Sequence, residues 1–247
     1  MNIAIFNWKD IKSPQSGGAE VVTQEYSRGW VRAGHKVSLV CPSFAGCLRT
    51  EIIDGVKIIR LGPKHNFSRF LIHILAFFYY QRHLKGRVDM VIDQIHWVPF
   101  FTPLYVKEKK LAFIHEVAKD IWIRQFGGVL GNVGKFIEPI FFKFYRDVPF
   151  LTVSETTKKD LTEFGISQVN VINNGVNIKS SSKTSKKEND PTLIYVGRLT
   201  KAKNVEDVIK AFLLVNKKIP DCRLWIVGGV DDLQYLSKLK KEANTLV

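Results

Sequence analysis

The sequence predicts an α/β protein built from parallel βαβ units, and three observations carry that expectation. Apolar runs of strand length alternate with longer segments of helical period, which is the pattern of strands joined by crossover helices. The runs Val88 to Asp93 and Lys110 to His115 are short and bounded by loops, as the buried strands of a parallel sheet are. The same strand-then-helix design restarts at Thr192, after the polar stretch Asn177 to Asp190.

Taken in order, Asn2 to Asn7 reads as the first strand, followed by a loop and a helix from Ala19 to Ala33 that Gly34 closes. Lys36 to Cys41 is the second strand. Glu51 to Leu61 reads as a hairpin decorating the main sheet, because Asp54-Gly55 between two β-rich runs suits a tight turn. Phe67 to Lys85 has the composition of an aromatic helix, and Lys135 to Arg146 that of a second Phe-rich one. The strand Pro149 to Val153, a helix opened by Ser154 as N-cap, and the strand Val169 to Ile172 complete the expected first domain, residues 1–176.

Residues 177–190 (NIKSSSKTSKKEND) are nearly free of apolar side chains and read as a solvated linker. From 191 to 247 only two βα units follow: a strand to Val196, a helix from Asn204 to Lys217, a strand Arg223 to Val227 and a last helix. Sheets usually carry ~4 to 6 strands, so this second domain reads as incomplete. Its apolar residues Val208, Phe212, Leu224 and Ile226 are therefore expected to be exposed and to favour self-association.

Composition excludes several classes. With 45% hydrophobic and 24% charged residues among 247, the chain has the material for a core, and disorder is excluded as its overall description. Cys41, Cys47 and Cys222 form no CxxC pair and are odd in number, which argues against a disulfide scaffold or a zinc ribbon and for a reducing cytoplasm. The start MNIAIFNWKD lacks the basic region and cleavage site of a signal peptide, so export is not expected. The apolar run Phe70 to Tyr80 is far shorter than the ~20 residues of a membrane-spanning helix. The net charge is +14; ten Lys/Arg and six Asp/Glu follow Pro191 against 27 and 17 before it, so the two parts carry +4 and +10. Such a field favours anionic partners without choosing among nucleic acid, acidic lipid and nucleotide phosphate.

Four local patterns could carry chemistry. Gly17-Gly18-Ala19-Glu20 sits at a helix start, where small residues let backbone N–H groups approach a phosphate; a flexible turn is the alternative. The loop is too long, and the second strand ends too apolar in Cys41-Pro42, for a dinucleotide fingerprint, which disfavours NAD. His115 ends a predicted strand, where parallel sheets gather ligand sites, although a lone histidine is more often structural; His96 is the weaker equivalent beyond the neighbouring strand. Gly197-Arg198-Leu199 with Lys203 places a planar fork and a point charge at a helix start, fit for a diphosphate, against the alternative of plain surface charge. Neither a GxSxG elbow nor a GxxxxGK[ST] loop occurs, and no His/Cys/Asp/Glu cluster suggests a metal.

In order, Gly17-Gly18-Ala19-Glu20, Phe113-Ile114-His115, Val153-Ser154-Glu155, Val171-Ile172-Asn173-Asn174-Gly175-Val176 and Gly197-Arg198-Leu199 with Lys203 resemble the retaining glycosyltransferases of family 4, over nearly the whole chain. The resemblance implies a GT-B fold of two Rossmann-like domains, the N-terminal one on the acceptor side and the C-terminal one binding a nucleotide sugar. It implies that Arg198 and Lys203 contact the donor diphosphate with the backbone of Gly17 and Gly18 closing over it, and that His115 is catalytic, touching the transferred sugar. Glu20, His96 and Asn174 are carried as further substrate contacts, and Asn173-Asn174-Gly175 also suits a turn between domains. No metal or other cofactor is then required.

Two departures qualify the likeness. Asn204 stands where the family usually has Gly, as a residue able to cap the helix, and two glutamates of the family's later C-terminal domain have no counterpart before Val247. The expected partners are thus a nucleotide sugar and a glycan or lipid-linked acceptor, with no nucleic acid. The aromatic, basic stretch Phe67 to Lys85 adds an anionic membrane surface, and the expected location is cytoplasmic, peripheral at the inner face of the cell membrane. A basic module for an anionic polymer or membrane, and a sugar-nucleotide epimerase of the same fold, are the alternatives. The chain alone is expected to have little transferase activity.

Overall fold

A computed structural model describes residues 1–14, 16–65, 67–175, 187–230 and 232–244. Most of the linker expected at 177–190 therefore lies outside the described residues. The chain divides into two compact units, Met1–Lys119 with Val133–Gly175, and Asp120–Asn132 with Val176–Val247.

In the first unit, β1 (Asn2–Phe6) leads through a loop to α1 (Gly18–Arg32), then β2 (Lys36–Pro42), β3 (Thr50–Ile53) and β4 (Val56–Leu61). α2 (Ser68–Tyr79) runs into a π-turn, Tyr80–Leu84, before β5 (Met90–Ile95) and β6 (Lys109–Ile114). α3 (Ile121–Phe126) and the first residues of α4 (Gly128–Phe142) count with the second unit, and the first resumes with the rest of α4, β7 (Phe150–Thr152), α5 (Glu155–Glu163) and β8 (Val169–Val171). The sheet has eight strands in the order β3-β4-β2-β1-β5-β6-β7-β8, all neighbours parallel except β3 and β4.

Strand alternation gives this sheet two apolar faces. Ile3 and Ile5 of β1 and Ile92 of β5 pack with Val22, Tyr26, Trp30 and Val31 of α1. On the other face, Ala4, Phe6 and Val91 pack with Ile72 and Ala76 of α2, and Ile95, Ala112 and Ile114 with Phe142 of α4. Ser154 caps α5 by accepting from the Thr157 N–H at 3.1 Å, as its residue type predicts.

Three expectations change. The Glu51 to Leu61 hairpin does not merely decorate the sheet: β4 pairs parallel with β2 and makes β3 its edge strand. Asp54 and Gly55 both take positive φ, 53° and 82°, as the tight turn demands, and a Cβ on Gly55 would come within 2.6 Å of Val31 Cγ1. The α-helix expected through Lys85 gives way to the π-turn after Tyr79. The helix expected from Lys135 starts at Gly128 instead; glycines at 127, 128, 131 and 134 disguise its beginning as loop.

The second unit holds β9 (Thr192–Val196), α6 (Val205–Asn216), β10 (Arg223–Val227) and α7 (Leu233–Asn244), with β9 and β10 parallel. One face of this pair is covered: Tyr195 and Ile226 pack on Val205, Ile209, Tyr235 and Leu239 of the two helices. Val208, Phe212, Leu224 and Ile226 are thus half-buried rather than exposed. The bare face is the opposite one, where strand register sets Ile194 beside Trp225 and Val196 beside Val227, all four exposed. A two-stranded sheet covered on one face opens readily. Hydrogen exchange is accordingly expected to be fast in β9 and β10 and slow in β1, β2, β5 and β6; equal protection throughout would contradict this account.

Candidate functional site

The C-terminal ends of β1, β5 and β6 form one edge of the first unit, and the polar side chains of interest gather there. The register Ile95 to Ile114 places the next residues, His96 and His115, side by side. His115 is half-buried against the Phe113 ring at a centroid distance of 4.7 Å. Burial pushes its imidazole below the usual histidine pKa, so it is neutral at pH 7. Its backbone carbonyl accepts a hydrogen bond from the Thr157 hydroxyl at 3.0 Å, which ties the strand end to α5.

A short polar chain runs from α1 to this ring. The Thr23 hydroxyl lies 2.6 Å from Gln94 Oε1 and 2.8 Å from the Ala19 carbonyl, and the Gln94 amide nitrogen faces His115 Nε2 at 3.5 Å. With the Gln94 oxygen engaged by Thr23, its N–H₂ points at Nε2; that pattern assigns the ring proton to Nδ1. Gln94 and Thr23 are both buried, so the arrangement is fixed by packing on either side. Sequence reasoning missed both residues. The available signal was a glutamine inside the apolar run Met90–Ile95, a position that requires a partner when buried.

Gly17 is the N-cap of α1, extended at φ −142° and ψ −161°, and Gly18 begins the helix. The N–H groups of a first helical turn have no intrahelical partner and attract anions. Glu20 is buried and turns back to accept the Gly17 N–H at 2.6 Å, so one of its oxygens holds the helix start together. The loop before Gly17 is pinned from inside. Arg60 on β4 gives Asp10 two hydrogen bonds, Nε to Oδ2 at 2.6 Å and Nη2 to Oδ1 at 3.0 Å, and gives Glu51 a third at 2.5 Å. Asp10 also accepts the Lys12 N–H at 2.7 Å, and its carbonyl takes the Ser13 N–H at 3.0 Å. Within β5, Asp93 fixes the following loop, which carries His96, by accepting from the Tyr145 hydroxyl, the Thr102 hydroxyl at 2.9 Å and the Phe100 N–H at 3.2 Å. His96 itself packs against the rings of Trp8 and Trp97.

In the second unit, Arg198 and Lys203 belong to one turn, between β9 and α6, and both are exposed. The turn is zipped to its neighbour after β10: Gly197 N–H donates to the Val227 carbonyl at 3.0 Å and Leu199 N–H to the Gly229 carbonyl at 2.8 Å. A Cβ on Gly228 would fall 1.7 Å from the Gly197 carbonyl oxygen, so only glycine permits this approach. Asn204 takes the left-handed conformation, φ 50° and ψ 51°, a conformation that glycine adopts most readily. Its amide donates to the Asp207 carboxylate and makes no side-chain cap on the helix backbone, so the expected capping role is not the one it fills.

The structure therefore brings Gly17, Gly18, Glu20, His96 and His115 to one region of the first unit and sets Arg198 and Lys203 together in the second. Asn174 lies exposed beyond β8. Among the described residues no group of three or more His, Cys, Asp or Glu side chains is placed to hold a metal ion.

Comparison with known proteins adds an independent line. The sequence profile of Glycosyltransferase Family 4 matches residues 16–180, and that of Glycosyl transferases group 1 matches residues 176–246. An uncharacterized glycosyltransferase of Methanocaldococcus jannaschii is 24% identical over 263 aligned positions, covering 97% of this chain and 66% of its own length. The chain thus spans about two thirds of that relative. Among solved structures, a sucrose-phosphate synthase of Thermosynechococcus elongatus superposes with a TM-score of 0.73 at 17% identity, over 98% of this chain and 68% of its own. A UDP-forming α,α-trehalose-phosphate synthase of Burkholderia vietnamiensis gives 0.64 at 12%, over 99% and 68%. At such identities the structures speak for the fold, which is α/β of GT-B type with an eight-stranded sheet and a small second one. The family profile runs from the helix start at Gly17-Gly18 through the strand end at His115 to beyond β8, two thirds of the sequence, and by that match the chain belongs to glycosyltransferase family 4.

Proposed function

We propose that this chain serves the transfer of a sugar from a nucleoside-diphosphate sugar to an acceptor hydroxyl, with retention of anomeric configuration, in the synthesis of a glycan, polysaccharide or glycolipid. Residues 1–176 are assigned to the acceptor side and 191–247 to the start of the nucleotide-sugar side, joined by 177–190. The observation that carries this reading is the turn between β9 and α6, with Arg198, Lys203 and a helix start in one short segment. A departing nucleoside diphosphate gains negative charge, and fixed cations with a helix N-terminus stabilise that charge more than they stabilise the bound donor.

The first-turn N–H groups of α1 from Gly18 onward supply a second set of donors for phosphate, with Gly17 as the small N-cap whose own N–H is held by Glu20, and His115 contacts the sugar. In the reaction the bond from the anomeric carbon to the phosphate oxygen breaks, with its electron pair staying on that oxygen. The acceptor oxygen bonds the same carbon, and its proton passes to a phosphate oxygen of the leaving group. Positive charge gathers on the sugar as this happens. A neutral imidazole beside it can orient a hydroxyl without adding repulsion, which is the state that burial imposes on His115.

Isothermal titration of the chain, and of a form extended to the length of its relatives, with ADP, GDP and UDP tests the reading. Arg198→Ala and Lys203→Ala should each weaken binding by about 1.5–3 kcal/mol, the contribution of one charge-assisted hydrogen bond. Unchanged affinity in both variants would remove the diphosphate assignment.

A further inference from the structure

Helix α2 buries Ser68, Ile72 and Ala76 and turns its other side outward. Residues two positions from a buried one lie about 200° around the helix, on its opposite face. Those positions are Phe70, Ile74 and Phe78, and they are 75%, 57% and 51% exposed. Helix α4 and the short 3-10 turn after it, Lys143–Tyr145, repeat the pattern: Glu138 and Phe142 are buried, while Phe136, Ile140 and Phe144 are exposed. Both helices cover the same face of the large sheet, since Val91 beneath α2 and Ile95 beneath α4 are same-face residues of β5. The segment from Phe100 to Val106 bridges them, with Phe101 against Phe141 and Phe144, Tyr105 against Phe77, and Leu104 exposed between. Two outward apolar stripes thus share one surface of the first unit.

The charge along these stripes is mainly positive, with the exposed acids Asp89 and Asp147 lying just past their ends. Residues 64–88 carry five Lys/Arg and no Asp or Glu, and Arg82, Lys85 and Arg87 are exposed just beyond the α2 stripe. Along 128–146 the one acid is Glu138, whose carboxylate is buried and accepts the N–H groups of Ala118 and Lys119 at 2.8 and 2.7 Å. Lys143 is exposed on the same stretch.

Aromatic side chains that stand in water beside cations, with no exposed acid among them, match the layered chemistry of an anionic bilayer surface: phosphate outside, acyl chains beneath. A protein partner would have to present acid and apolar groups in that same arrangement, whereas a leaflet presents it everywhere. The geometry points to this α2–α4 surface as a docking face for an anionic lipid membrane. No helix among the described residues is long and apolar enough to cross a membrane, so the contact is interfacial. This inference does not depend on the transferase reading.

Co-sedimentation with vesicles tests it, using phosphatidylcholine mixed with phosphatidylglycerol against phosphatidylcholine alone. The chain should bind the mixed vesicles and leave the neutral ones, with binding falling steeply when NaCl is raised from ~0.05 to ~0.5 M. Phe70→Ser combined with Phe78→Ser should reduce partitioning about 10-fold or more, and Arg82→Gln combined with Lys85→Gln about as much. All four side chains are exposed, and circular dichroism and melting temperature confirm that the variants fold. Absence of binding to anionic vesicles at low salt would overturn the inference, as would binding that both double variants retain. A concentration-dependent dimer without vesicle binding would show that a second copy of the chain covers this face instead.

Discussion

Arg60→Ala is expected to lower unfolding stability by about 3–5 kcal/mol, the usual result of removing one member of a buried ion pair. For a chain of this size that corresponds to a melting temperature roughly 6–20 °C lower. The reason lies in what stays behind. Arg60 and Asp10 have side-chain exposures of 0% and 1%, so the Asp10 carboxylate would be left charged and cut off from water. Its remaining neighbours are the Lys12 N–H and the Cys41 thiol, whose own pKa burial has already pushed up. Arg60→Lys should recover part of the loss, because one ammonium cannot reproduce the forked contact with Asp10 while also reaching Glu51. Arg60→Met with Asp10→Leu should be less damaging than Arg60→Ala, since no buried charge is then unpaired. Denaturant melts of the three variants decide the matter. If Arg60→Ala melts within a degree of the parent, the loop ahead of Gly17 is not held by this pair.

That ion pair also shows where the sequence is legible and where it is not. The helix start at Gly17-Gly18, the strand that ends before His115 and the Ser154 cap are local events, and local patterns of glycine, apolar runs and capping residues announce them. Arg60 and Asp10 are fifty positions apart, and each reads as an ordinary surface charge until β4 is laid beside β2. Gln94 and Thr23 are 71 apart and equally silent, because their meaning is a contact between α1 and β5. The Phe67 to Lys85 stretch fails in another way: apolar residues lie all round its helix, so the sequence alone cannot choose the buried side. In the structure the small residues Ser68 and Ala76, with Ile72, face the sheet and the bulky phenylalanines face out. A rule that buries the largest apolar residues first would invert the helix. In the second unit, likewise, alternation along β9 and β10 marks two faces but cannot say which one α6 and α7 cover.

His115→Ala is expected to keep the parent's melting temperature to within a few degrees and to lower the rate of sugar transfer about 10²- to 10³-fold, the loss measured when one donor to a transition state is removed. The comparison belongs in a form extended to the length of the relatives. The ring is half-buried, and its removal leaves the β6 backbone bond from Thr157 intact, which is why stability should change little. Gln94 supplies the sharper test. Gln94→Glu sets a carboxylate beside the imidazole and stabilises its protonated form, so the His115 titration should move up from a value that burial now holds below the ordinary histidine range. Protonation removes the neutral ring that the proposed role of His115 requires. The acid limb of the pH–rate profile should therefore shift to higher pH in Gln94→Glu, and carbon–nitrogen NMR of the ring should report the same upward shift in the absence of substrate. The linkage for folding has a matching sign: a histidine with a lowered folded pKa adds stability above the unfolded value of about 6.5, and that stability is lost as pH falls through the folded pKa. Gln94→Glu should narrow that window. If His115→Ala transfers sugar at the parent's rate, the ring does not meet the substrate; if it unfolds, the ring is a packing residue. An NMR titration that Gln94→Glu leaves unmoved would mean that the 3.5 Å approach of the amide to Nε2 does not govern the imidazole.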